Sequence, residues 1–101
     1  MIRVLLTIVL LMSGISAFAQ SADLIARQKK QEKAIVAAKK RGAVTANEYD
    51  KLMREQEIIK EAIRNAAADG DWTPRELNGV NGKLERASHR LRRYKTNGEV
   101  Y

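Results

Sequence analysis

A unit that recurs at a spacing of 28 residues constrains this chain more than any other feature. Arg41-Gly42-Ala43-Val44-Thr45-Ala46-Asn47-Glu48 realigns on Asp69-Gly70-Asp71-Trp72-Thr73-Pro74-Arg75-Glu76. Each copy reads Gly, any residue, a large apolar residue, Thr, and Glu three positions after the Thr. Glycine just past a helix ends it in a left-handed conformation, and Thr-x-x-Glu starts the next helix as a capping box. Each copy is therefore a helix-to-helix corner, and two corners imply three helices. The period continues inside them: it relates Leu24, Leu52 and Val80, and again Ile35, Ile63 and Leu91.

Residues 1–19 stand outside this scheme. Arg3 gives a short positive start, Val4 to Met12 is apolar apart from Thr7, and Ser13-Gly14-Ile15-Ser16 loosens the helix after that run. Ala17-Phe18-Ala19 is a small-any-small cleavage pattern, so the segment reads as a secretory signal peptide cut before Gln20. The apolar core is short for a membrane span, and the mature chain is expected to contain no transmembrane segment. About 80 residues remain, enough for one small domain. They contain no cysteine, so an oxidising compartment supplies no disulfide. A small core built from Ala, Ile and Leu leaves self-association open.

The expected fold is all-α: three antiparallel amphipathic helices at about 22–40, 46–67 and 74–94, within a single helical domain at 20–95. A flexible tail is expected at 96–101. In the first helix Leu24, Gln28, Gln31, Ile35 and Ala38 form one stripe at alternating spacings of four and three, with Ile25, Val36 and Ala37 beside it. Thr45 caps the second helix, Glu48 closes its box, and Val44 staples to Tyr49. Its stripe runs Leu52, Gln56, Ile59, Ile63 and Ala66, widened by Met53, Ile58 and Ala62. In the second corner Thr73 caps, Pro74 takes the first helical position, Glu76 closes the box, and Trp72 meets Leu77. The third stripe is Leu77, Val80, Leu84, Ala87, Leu91 and Tyr94. Gly79 and Gly82 weaken this third helix or mark a close approach by another. The helices either close into a compact core or remain an open hook.

The second corner resembles the latter half of an EF-hand loop. Asp69-Gly70-Asp71-Trp72-Thr73-Pro74-Arg75-Glu76 fits that half, and extension backward puts Asn65 at the loop's first position and Ala67 at its third. The resemblance implies EF-hand-like helix–corner–helix geometry and a weak calcium site at Asn65, Asp69, Asp71 and Glu76, provided Asn65 leaves the preceding helix. Calcium takes six to eight oxygens, and these residues offer four or five. In the first corner Ala37, Lys39 and Arg41 stand where ligands would be. Gly-x-apolar-Thr-x-x-Glu is also the product of capping alone, so a metal-free corner without cofactors is the principal expectation. The mature chain further resembles a group of small exported bacterial helical proteins with repeated Gly-x-Leu/Val-Thr-x-x-Glu corners and a basic last helix. That resemblance implies fold and periplasmic location only.

The net charge of +7 is uneven. Basic residues crowd 27–41 and 83–95, while the middle helix is nearly balanced. Lys83, Arg86, Arg90 and Arg93 share a helical spacing and mark a basic face for an acidic protein or an anionic envelope component. Export argues against nucleic acid. Enzyme chemistry has little support: Ser88 and His89 are adjacent on a helix, pointing about 100° apart, which is poor geometry for a nucleophile and its base. The functional expectation is a non-enzymatic periplasmic protein acting by surface contact. The alternatives are a weakly metal-responsive protein and a purely structural or self-associating one.

Overall fold

A computed structural model describes the backbone of residues 2–68 and 70–100 and the side chains of 19–68 and 70–96. Among the described residues there are three helices and no strand: α1 (Ile2–Lys40), α2 (Ala46–Ala68) and α3 (Pro74–Val100). Every pair of helices is in contact, so the bundle is closed and the open hook is excluded. Short corners make α1 and α3 each antiparallel to α2 and therefore parallel to one another.

Two helix ends differ from expectation. α1 begins at Ile2 and not near residue 22, because Ser13 to Ser16 does not end the helix and no proline interrupts it. α3 continues past Tyr94 to Val100, and the Thr96 hydroxyl donates to the Arg92 carbonyl at 2.9 Å within that last stretch. A hydroxyl bonded back to the preceding turn is accommodated by a continuing helix. Among the described residues, no helix is long and apolar enough to cross a membrane.

Both corners form as their residues dictate. Gly42 has φ 74°, and the chain turns with Ala43 N–H donating to Ala38 O and Gly42 N–H to Lys39 O. That pair of bonds is a Schellman ending. Gly70 has φ 73° and donates to Ala67 O. Thr45 N–H donates to Glu48 Oε1 at 2.8 Å while Glu48 N–H donates to Thr45 Oγ1 at 3.1 Å. Thr73 and Glu76 repeat the exchange at 2.9 and 3.1 Å. Val44 is buried with Tyr49 against it, and Trp72 packs on the cluster that holds Leu77. Trp72 is half-buried and not fully enclosed, since it precedes α3 at the end of the bundle, where one side meets solvent.

The core consists of two apolar clusters. Leu24, Ile59, Leu77, Val80, Leu84 and Ala87 make one; Ile35, Ala38, Val44, Leu52 and Leu91 make the other. Between them lies a polar layer. Gln28 Nε2 donates to Gln56 Oε1 at 3.0 Å, and Gln56 Nε2 donates to Gln31 Oε1 at 2.7 Å. Gln31 Nε2 then donates to Leu84 O and Ser88 Oγ, at 3.0 and 2.8 Å. Gln28 and Gln56 are both buried, so each unmade bond here would cost about 1–3 kcal/mol of desolvation. The 28-residue period relates Gln28, Gln56 and Leu84, which meet at one level of the bundle.

Two expectations of packing fail. Ile58 does not widen the α2 stripe; it is 60% exposed, about 100° round the helix from Ile59. Nor do the α3 glycines admit a neighbouring helix. A methyl at Gly79 would meet open space, and one at Gly82 would touch only the flexible end of Arg86.

Candidate functional site: a basic seam and a basic face

Charge placement depends on which helix faces meet. On α3 the basic face runs along the side next to α2. Arg90 there is committed: its Nη1 lies 3.3 Å from Glu55 Oε2 on α2. Glu55 Oε1 is buried without a hydrogen-bond partner, so Arg90 is the principal neutralising group for that carboxylate. Lys83, Arg86 and Arg93 form no ion pair among the described residues.

The other flank of α3 meets α1. Arg27 reaches across this seam, with Nη1 2.7 Å from Asn81 Oδ1 and Nη2 3.0 Å from Glu85 Oε1. It divides the seam into two depressions. Toward the second corner, a polar recess of about 450 Å³ is bounded by Gln20, Asp23, Leu77, Asn78 and Asn81. On the other side lies an open groove of about 390 Å³, lined by Lys30, Ala34, Leu84, Leu91, Arg92 and Lys95, with Gln31 and Ser88 in its floor. Sequence reasoning passed over this groove. Lys30 and Lys95 lie on different helices and come together only through the parallel register of α1 and α3.

The acidic residues are largely occupied. Glu32 and Glu57 both hold Lys60, at 2.6 and 3.2 Å, and raise its ammonium above the ordinary lysine value, the Glu32 hydrogen bond contributing most. Glu61 pairs with Arg64, Glu85 with Arg27, and Glu48 and Glu76 serve the capping boxes.

The residues expected to converge on calcium do not form a ligand cluster among the described residues. Asn65 remains inside α2 and is exposed, Asp71 is exposed at the corner, and one oxygen of Glu76 accepts the Thr73 N–H. Asp69 lies outside the described residues. Among the described residues, no group of three or more His, Cys, Asp or Glu side chains is placed to hold a metal ion. Ser88 Oγ accepts from Gln31, while His89 lies on another side of α3.

In comparison with known proteins, no family model matches the sequence. No solved structure matches it either.

Proposed function

We propose that this chain is a non-enzymatic envelope protein, exported after removal of residues 1–19, that works by contact between its basic α3 face and an acidic protein or anionic envelope component. The observation that carries the reading is the unequal pairing of charge. Most described carboxylates are tied up in ion pairs or capping boxes, while Lys83, Arg86 and Arg93 have no ion pair among the described residues. Unpaired cations on one helix face attract and orient anionic partners over roughly a Debye length, about 8 Å at physiological salt.

Arg90 supports the face without being free for a partner, since Glu55 already holds it. The informative variant is therefore Lys83→Glu with Arg86→Glu and Arg93→Glu, leaving Arg90 in place. Envelope components retained on the immobilised protein at low salt should be released at moderate salt and lost with this variant. Retention that ignores both salt and charge reversal would instead favour self-association or an apolar contact. Intact mass of the exported protein tests the location: it should begin at Gln20.

A further inference from the structure

The groove between α1 and α3 is separate from the basic α3 face, and its chemistry is more specific than net charge. Its walls carry Lys30 on α1 and Arg92 and Lys95 on α3, none of which forms an ion pair among the described residues. Its apolar lining is Ala34, Leu84 and Leu91, and the small Ala34 leaves the depression unfilled. The Gln31 amide is already satisfied: its Nε2 serves Leu84 O and Ser88 Oγ, and its Oε1 accepts from Gln56. A sugar phosphate would find no free partner in that amide, whereas hydrocarbon can cover it without breaking a hydrogen bond.

The shape also selects. A partner helix needs a row of pockets for side chains at i, i+3 or i+4 and i+7, and a stable protein contact covers about 800 Å² per side. Here there is one depression of about 390 Å³. Leu84 and Leu91 are 1% and 7% exposed, so the uncovered apolar strip is narrow. The methylene stems of Lys30, Arg92 and Lys95 extend that strip while their charged ends stay in water. A slim hydrocarbon chain with an anionic end meets all of these conditions.

We propose that the α1–α3 groove binds a single-chain anionic amphiphile, its charged end held by Lys30, Arg92 and Lys95 and its hydrocarbon laid over Ala34, the edge of Leu91 and the methylene stems beside them. This site does not depend on the α3 face and is tested separately from it. Lysophosphatidylglycerol is titrated into the purified protein below its micelle concentration, followed by calorimetry and by methyl NMR of Ala34, Leu84 and Leu91. Lysophosphatidylcholine of equal chain length, inorganic phosphate and palmitate are run beside it.

Binding should be saturable for lysophosphatidylglycerol and for palmitate, with the shifts confined to groove methyls. It should weaken about tenfold for the zwitterionic lipid, which repels with one charge what it attracts with the other. Two independent variants should reduce it: Lys30→Gln with Arg92→Gln and Lys95→Gln, which removes the charges, and Ala34→Phe, which fills the depression. All four positions lie outside the buried core, so the thermal midpoint of each variant should match that of the parent. Lys83→Glu with Arg86→Glu should leave this binding within about threefold, because those charges lie on the opposite flank of α3. Equal binding of phosphate, equal binding of the zwitterionic lipid, or full binding by Ala34→Phe would each overturn the proposal. So would an acidic amphipathic peptide that shifts the groove methyls where no amphiphile does.

Discussion

At Gly42 the backbone stands at φ 74° with nothing within 4 Å of where a side chain would begin, so conformation alone disfavours a Cβ there. Gly42→Ala should cost about 1–2 kcal/mol. Gly79 is the opposite case: it is helical, it faces open space, and Gly79→Ala should stabilise by about 1 kcal/mol. Thermal unfolding of the two variants should move in opposite directions, and a shift of the same sign in both would contradict this account. Thr73→Ala removes one half of a capping box and should cost about 1 kcal/mol. Lys60 adds a pH signature. Its folded-state pKa is raised by Glu32 and Glu57, so the stabilisation is fully present below the unfolded value near 10.5 and disappears as pH rises through the higher folded value. The stability difference between the parent and Lys60→Gln should accordingly be flat from neutral pH to about pH 10 and shrink only above 10.5.

Among the elements, α2 shows most clearly how a stripe divides between apolar packing and polar pairing. Ile59 and Gln56 are both fully buried, yet they hold the bundle by different physics. Gln56→Ala would leave Gln28 Nε2 and Gln31 Oε1 without partners and open a cavity, a loss of about 3 kcal/mol or more. Ile58→Ala, on the exposed side of the same helix, should change stability by less than about 0.5 kcal/mol. Urea unfolding of the pair measures both, and similar losses would mean that α2 is rotated from the orientation described. The Arg90–Glu55 pair joins α2 to α3 in the same way. Arg90→Ala should cost more in the parent than in a protein already carrying Glu55→Gln, since the half-buried side chain at 55 is then no longer charged.

Across the whole molecule, the 28-residue period creates a difficulty that the glutamine layer resolves. Helices that repeat Leu24, Leu52, Val80 and Ile35, Ile63, Leu91 present similar apolar stripes, and similar stripes can pack in slipped registers. Gln28, Gln31 and Gln56 are satisfied in one register, and a slip of one turn would bury them without partners. A single polar layer inside an apolar seam is a known way to specify alignment at some cost in stability. Replacing all three glutamines with Leu should therefore preserve or raise the unfolding midpoint while broadening the NMR spectrum or producing more than one association state. A sharp single set of resonances from the triple variant would show that the apolar clusters specify register unaided.

What the sequence determined by itself lies within a turn or two of the chain. Gly42 and Gly70, the Thr45–Glu48 and Thr73–Glu76 boxes, and the periodic placement of Leu24, Ile35, Leu52 and Leu84 are all local chemistry, and local chemistry is readable from neighbours. The limits of α1 and α3 were less legible, because no strong stop signal stands at either outer end. Tertiary structure alone decided that the three stripes close on one another, that Ile58 faces solvent, and that Trp72 remains half-covered. It also chose the partners of Gln31, Arg27, Lys60 and Arg90, and it brought Lys30 beside Arg92 and Lys95. Those pairings depend on the rotation and register of whole helices, which no spacing within one helix encodes.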